Sequence, residues 1–397
     1  MSLQVATPPA TARPGTELPP IADDEYAARF TALRREMAAR GLDLVLLSQP
    51  ENIFYLTGLD HWGYFTPHLL IVPAAGEPVL ATRAMEQVTV ANQVRTARFE
   101  GHTDSETAAD AAARVLQRLE PRRRIGIESW SSGLPHGLAC RLSKALPGSE
   151  WADITGLVDG LRRCKSPAEQ DCMRRAAGIS DAAAAAAIDA IADGAGELEI
   201  SAECQRAMTL AGGSYPGFGP FIRPGTRLGE EHTSWGTGTL RKGGTVFLEL
   251  SGCYRRYHAP LGRLIFIGDA PEGARRMEAV CRRAFDAVLK ALVPGNRARD
   301  VYAAWQGVVD AAGLSHYRRH HCGYVVGIGV PPSWTGGNTV TGLRHDSDLP
   351  IDAGMTFHVL SWLMGTGQGD YFLSNTVLLG DAGPEVLTVT PDTLTLR

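Results

Sequence analysis

The sequence predicts an α+β protein with two folded domains: a smaller α/β domain over 23–160 and, over 161–397, helices packed on a mainly antiparallel sheet. Three observations carry this expectation. The 397 residues suffice for two or three domains of ordinary size. In the first 160 residues short β-rich runs alternate with helical periodicity, the mark of an α/β layer. Beyond residue 160, pairs of helices alternate with longer β-rich runs, the pattern of helices laid on one antiparallel sheet. Residues 1–22, rich in Pro, Thr and Ala, read as a disordered arm.

In chain order, EYAARFTALRREMAARG places Phe30, Leu33 and Met37 on one helical face and stops at Gly41, a glycine C-cap. LDLVLLS (42–48), HLLIVPA (68–74) and EPVLATR (77–83) read as strands, 106–119 as a helix and RIGIES (124–129) as a strand. The second regime opens with Ser166 as N-cap, Pro167 at the first helical position and Glu169 three residues after the cap, which starts a long helix. A helix near 197–211 leads into a Gly/Pro-rich loop over 212–238 and then the strands TVFLELSG (245–252) and GRLIFIG (262–268). Helices near 271–292 and 297–312 precede β-like GYVVGIGV (323–330), GMTFHVLSWLM (354–364) and FLSNTVLLG (372–380).

Composition narrows the function classes. Hydrophobic residues make up 44% and charged residues 21%, as in ordinary globular proteins. With 39 basic and 43 acidic residues the net charge is −4, so no positive field recruits nucleic acid or an anionic membrane, and a small-molecule partner is expected. Seven cysteines with no CxxC pair fit a reducing cytoplasm. No apolar run reaches the roughly 18 residues that would span a bilayer.

The ordered segments NIFYLTG (52–58), LRRCKSPAEQDCMRRAA (161–177), EEHTSWGTGTLRKGGTVFLELSGCYRRYHAPLGRLIFIG (230–268), GYVVGIGVPPSW (323–334), GMTFHVL (354–360) and NTVLL (375–379) resemble the creatinase/prolidase/aminopeptidase P family. The resemblance implies a creatinase-like N-terminal domain, a C-terminal pita-bread catalytic domain and a homodimer. Metal-dependent members hold two divalent ions with two Asp, one His and two Glu. At those positions this chain has Glu249, then Pro260 eleven residues on, Tyr324, Leu360 and Ser374. Divalent ions need several converging oxygen or nitrogen donors, so no metal and no other cofactor is expected. The segments look closest to the metal-free branch of ectoine hydrolase, which implies hydrolysis of a C–N bond at an amidine-like carbon. A creatinase-like guanidino-acid hydrolase and a non-catalytic peptide- or protein-binding module are the alternatives.

Amidine hydrolysis needs a water or carboxylate to attack an electron-poor carbon and a proton for the departing nitrogen. Glu249, inside the apolar strand TVFLEL, is the expected base or nucleophile, and His232 in GEEHTSW, where the resemblance places a proton-transferring histidine, the expected acid. Tyr324, Trp62, Trp235, Phe221 and Trp334 are expected substrate contacts, since aromatic faces hold cationic amidinium groups. His258 is a competing histidine, and the resemblance gives Arg344 to a substrate carboxylate. Trp62 is expected to act across the dimer, through the 60–65 loop.

Overall fold

A computed structural model describes residues 20–117, 123–337 and 339–397; the expected arm up to residue 19 lies outside the described residues. The chain forms two compact units, Pro20–Arg163 with Gly337 and Thr339, and Cys164–Gly336 with Val340–Arg397. Among the described residues no helix is long and apolar enough to cross a membrane.

The first unit opens with α1 (Asp23–Ala39), whose first turn carries Asp23, Asp24 and Glu25 at the positive end of the helix dipole. It buries Phe30, Leu33 and Met37, as the spacing predicts, and the chain leaves it through Gly41 at φ +63°. There follow β1 (Leu44–Leu47), α2 (Pro50–Thr57), β2 (Leu69–Pro73), β3 (Val79–Arg83), α3 (Gln87–Gln93), β4 (Arg98–His102), α4 (Ala108–Leu116), β5 (Arg124–Ile127), α5 (His136–Ala145), β6 (Glu150–Asp153) and α6 (Leu157–Leu161). The strands form one mixed sheet in the order β4-β3-β2-β1-β5-β6. Both edge strands, β4 and β6, escape a reading of hydrophobic pattern because edge strands carry charge and bury little. The core joins Leu44, Leu46, Leu69 and Ile71 to the alanines of α4 and to Leu138 and Leu142. The NIFYLTG segment is structural: Glu128 accepts from the backbone N–H of Ser48 and Gln49 at the start of α2 and from Asn52 Nδ2 at 2.6 Å.

In the second unit come α7 (Pro167–Ala190), α8 (Glu197–Leu210), β7 (Phe221–Pro224), β8 (Thr245–Tyr254), β9 (Tyr257–Phe266), α9 (Ala274–Ala291), α10 (Ala298–Ala311), β10 (Gly323–Val325), β11 (Thr356–Leu363), β12 (Tyr371–Gly380), β13 (Gly383–Val386) and β14 (Thr395–Leu396). The expected capping box forms, with Ser166 N–H on Glu169 Oε2 at 2.9 Å and Glu169 N–H on Ser166 Oγ at 3.3 Å. The sheet runs β10-β11-β12-β9-β8-β7, with β13 beside β12 and β14 parallel to β9. The alanine run of α7 has its reason here: Ala183, Ala184 and Ala187 are buried, and α7 lies so close to β8 that a Cβ at Gly252 would stand 2.4 Å from Ala176 O. Leu248, Leu250 and Gly252 thus face α7, and alternation turns Phe247, Glu249 and Ser251 to the opposite face.

Three segments differ from the expectation. The 212–238 loop contains β7, a four-residue strand too short and Pro-bounded to show a pattern. β9 starts at Tyr257 rather than 262 because Arg255 and Arg256 both adopt left-handed φ, +48° and +64°, and close a two-residue hairpin without the glycine that usually marks one. The 323–330 run is a strand only to Val325; beyond it a Cβ at Gly329 would stand 2.8 Å from Ser333 O, and the chain turns away.

Candidate active site

Cross-strand pairing sets Phe221, Glu249, Gly262, Ser374 and Leu360 in one row across five strands. Directly paired residues share a face, as do residues two apart on a strand. One neighbouring row therefore contains Arg223, Phe247, Phe372 and Trp362, and the other His358, Thr376 and Tyr324. The residue opposite Glu249 is Gly262, not Pro260. The two-residue hairpin at Arg255–Arg256 fixes that register and pairs Pro260 with Ser251. Gly262 is needed there, since a Cβ would stand 2.4 Å from the Phe372 ring.

Glu249 is 8% exposed, and its carboxyl makes no hydrogen bond to any described residue. Burial pushes its pKa up to about 8; Arg223 and Arg319 oppose the shift and Glu231 reinforces it. At neutral pH the resting carboxyl is thus mostly protonated. The imidazole the fold brings to it is His358, whose Nε2 stands 3.9 Å from Glu249 Oε1.

His358 is held by a chain of donors. Trp334 Nε1–H, which can only donate, reaches Tyr324 Oη at 3.0 Å. Tyr324 Oη and His358 Nδ1 share a hydrogen bond at 2.8 Å, and His358 Nε2 and Ser374 Oγ share one at 2.7 Å; with the Tyr324 hydroxyl as donor, neutral His358 carries its hydrogen on Nε2 and donates to Ser374. Burial holds His358 well below the usual histidine range and Tyr324 well above the usual tyrosine range, so both stay neutral. With both ring nitrogens engaged, His358 meets Glu249 as a positioned neutral ring.

An aromatic wall adjoins this row. Phe218, Phe221 and Trp334 contact one another with ring centroids 4.7–5.5 Å apart, and His232 lies 6.3 Å from Phe218 and 6.2 Å from Phe221. His232 is exposed, in a left-handed conformation at φ +56°, and meets Glu249's cross-strand neighbour Phe221 rather than a polar partner. Trp235 is half-buried against Gly219.

Two expected contacts need correction. His258 is fully buried; Nδ1–H donates to Arg256 O and Nε2 accepts from Gly217 N–H, both at 2.8 Å, so the ring is consumed in pinning the 217 loop. Burial drives it down to about 3, and it offers substrate neither a nitrogen nor a charge. Arg344 is exposed and paired with Asp346 at 3.0 Å; the guanidinium groups that act on Glu249 are Arg223 and Arg319. Trp62 belongs to the first unit, where it is 63% exposed ahead of a short 3₁₀ turn.

His358 is absent from the residues expected above, although the sequence carries a signal for it: it stands two residues before Leu360 on a strand, hence on the same face. Arg223 and Arg319 carried no such signal, because one sits in a supposed loop and the other between elements.

A family model for metallopeptidase family M24 matches residues 171–381, and one for the creatinase/prolidase N-terminal domain matches residues 29–164. The chain belongs to metallopeptidase family M24. It is 28% identical over 397 residues to ectoine hydrolase of Halomonas elongata, spanning 95% of this chain and 98% of that protein, and 24% identical over 295 residues to the Xaa-Pro dipeptidase of Pyrococcus horikoshii, 74% and 80% respectively. In fold it matches the prolidase of Thermococcus sibiricus with a TM-score of 0.84 at 19% identity, covering 95% of this chain and 100% of that one. The Xaa-Pro dipeptidase of Bacillus anthracis gives 0.80 at 20% identity, covering 94% and 100%.

The metal centre the family name implies does not fit these residues. On the Glu249 face the donors are one carboxyl and one imidazole, and both nitrogens of that imidazole are engaged by Tyr324 and Ser374. Among the described residues no group of three or more His, Cys, Asp or Glu is placed to hold an ion.

Proposed function

We propose that this M24 chain is a metal-independent hydrolase that opens a C–N bond of a small amidine-type substrate, with Glu249 moving the protons. One observation carries the reading. Glu249 is a buried carboxyl without a hydrogen bond to any described residue, set between an aromatic wall and the fixed imidazole of His358, on the face where Pro260, Tyr324, Leu360 and Ser374 stand at the other four metal-ligand positions that the resemblance gives. Leaving such a carboxyl unpartnered is costly unless a ligand completes it.

A bound amidinium supplies that partner. Its charge favours the carboxylate form of Glu249, and the rings of Phe221 and Trp334 suit its planar cation. Glu249 takes a proton from water as the water oxygen bonds to the amidinium carbon and the C–N π pair moves onto nitrogen. Glu249 then returns that proton to the departing nitrogen as the C–N bond breaks. The remaining hydroxyl proton passes to the freed amine, leaving an amide and an ammonium group. His358 stays neutral and orients the site. Similarity over nearly the full length to a protein named ectoine hydrolase supports a cyclic amidine as substrate.

The test is turnover by the purified full chain, before and after chelation, of ectoine, open-chain guanidino acids and Xaa-Pro dipeptides. Hydrolysis of a cyclic amidine that survives chelation is expected. Xaa-Pro cleavage that disappears with chelation and returns with added metal would overturn the reading.

A further inference from the structure

The sheet of the second unit is two ladders joined at a narrow seam. β8 and β9 share ten residue pairs and β11 and β12 share eight, but β9 and β12 meet only at Leu373–Arg263 and Ser374–Gly262. To either side of those two pairs the strands part: β14 takes up the edge of β9 at Ile265 and Phe266, and β13 that of β12 from Val377 to Gly380. The reactive row crosses this seam. Glu249 and Gly262 lie on one side, Ser374 and the His358 it bonds on the other, so the 3.9 Å between Glu249 and His358 is set across a ladder of two pairs.

One long side chain clamps it from behind. Arg263, 1% exposed, alternates with Gly262 and so projects from the face opposite the reactive row, as does its paired residue Leu373. Its Nη1 donates to Gly262 O and to Ser374 O, both at 2.7 Å, which ties the two seam residues of the Glu249 row to a single nitrogen. Nη2 donates to Asn375 Oδ1 at 2.9 Å and to Thr390 O, and Nε donates to Pro391 O at 2.7 Å. The five N–H groups of the guanidinium thus meet five acceptors on β9, β12 and the 390–391 segment that leads into β14. Thr376 adds one bond more across the seam, from Oγ1 to Pro260 O at 2.7 Å. All five acceptors of Arg263 are neutral oxygens, and it makes no ion pair among the described residues; Asp181 and Asp392 act on it only from beyond hydrogen-bond reach. A buried cation held without a carboxylate partner is expensive, so what keeps it here is the shape of its planar fork.

We propose that Arg263 is the positioning residue of this site: by drawing Gly262 and Ser374 together from behind the sheet, it sets the distance between Glu249 and His358. For its kinetic consequence the proposal rests on the reading of Glu249 as the reacting carboxyl; its geometric part rests on the seam alone. Arg263 touches neither group and acts through the backbone of their neighbours. Lysine cannot replace it, since an ammonium brings three donors and no planar fork to five acceptors. Misplacing a reacting group by about 1 Å can lower a rate about 100-fold, so the effect belongs in kcat.

The test compares Arg263→Lys with the wild type as full chains labelled with nitrogen-15 histidine. The ring signals of His358 are those missing from His358→Gln. Glu249→Gln changes a group 3.9 Å from that ring and should move those signals; in the Arg263→Lys background the same change should move them less than about half as far. Asn375→Ala removes one acceptor of the fork and should shrink the response partly, which keeps the test decisive should Arg263→Lys fail to fold. With any substrate the wild type turns over, Arg263→Lys should lower kcat about 10- to 100-fold with KM within about twofold. Glu128→Ala, which weakens the first unit, is the control for a merely structural loss and should leave both the His358 response and kcat of the folded fraction intact. A full His358 response in folded Arg263→Lys, a full response in Asn375→Ala where Arg263→Lys does not fold, or a defect confined to KM would overturn the proposal. The two readings fail separately. If no amidine is turned over but the response shrinks, the role of Arg263 stands and the proposed reaction falls; if amidines turn over with equal kcat in both proteins, the reverse holds.

Discussion

Replacing Glu249 with Gln should stabilise the protein by an amount that grows with pH. Burial raises the folded-state pKa of this carboxyl from the ordinary 4.5 to about 8. A group whose folded pKa is raised favours folding fully below its unfolded pKa and loses that contribution as pH climbs to the folded value. Between pH 4.5 and about 8 the wild type therefore loses stability at about 1.4 kcal/mol per pH unit, reaching about 3 kcal/mol at pH 7 and up to about 5 kcal/mol above pH 8. Glutamine keeps the shape, is neutral throughout and loses nothing. The two proteins should have nearly equal unfolding midpoints near pH 4 and below and diverge steadily to pH 8, beyond which the gap levels off. Urea unfolding of both from pH 5 to 9 measures this, and parallel curves over that range would refute the argument. The same carboxyl predicts that kcat/KM of the wild type rises with pH and levels off near 8, while Glu249→Gln loses on the order of 100-fold or more in kcat.

Tyr324→Phe removes the hydroxyl that links Trp334 to His358, leaving two buried nitrogens unpartnered; it should lower stability by about 1–3 kcal/mol. It also frees the His358 tautomer, so kcat should fall roughly tenfold with KM little changed, a split that steady-state kinetics would expose. His232→Ala should raise KM more than it lowers kcat, since the ring belongs to the aromatic wall; a kcat loss as large as that of Glu249→Gln would instead make His232 the proton donor. Glu128→Ala strands the N–H groups of Ser48 and Gln49 and the amide of Asn52, and thermal melts should show a loss of about 3 kcal/mol or more while kcat of the folded fraction is unchanged.

Much of this protein was legible in one dimension, because short-range physics decided it. The Ser166–Glu169 capping box and the Phe30/Leu33/Met37 stripe are local patterns that formed where they were read, and the strand read at 245–252 runs on to Tyr254. The motif order identified the family. What the sequence could not decide was register and partnership. Whether Pro260 or Gly262 stands opposite Glu249 depends on a hairpin turned by two left-handed arginines, which no turn signal announces. His258 and His358 look alike as strand histidines. One is consumed by the backbone of residues 217 and 256, and the other is delivered to Glu249 by pairing between residues far apart in the chain. Arg223 and Arg319, 96 positions apart, come together only because the rings they stack on, Phe247 and Trp362, are brought together from different strands. A side chain's chemistry follows from its identity, but its protonation and its partners follow from which distant groups exclude water around it, and the tertiary structure alone sets those.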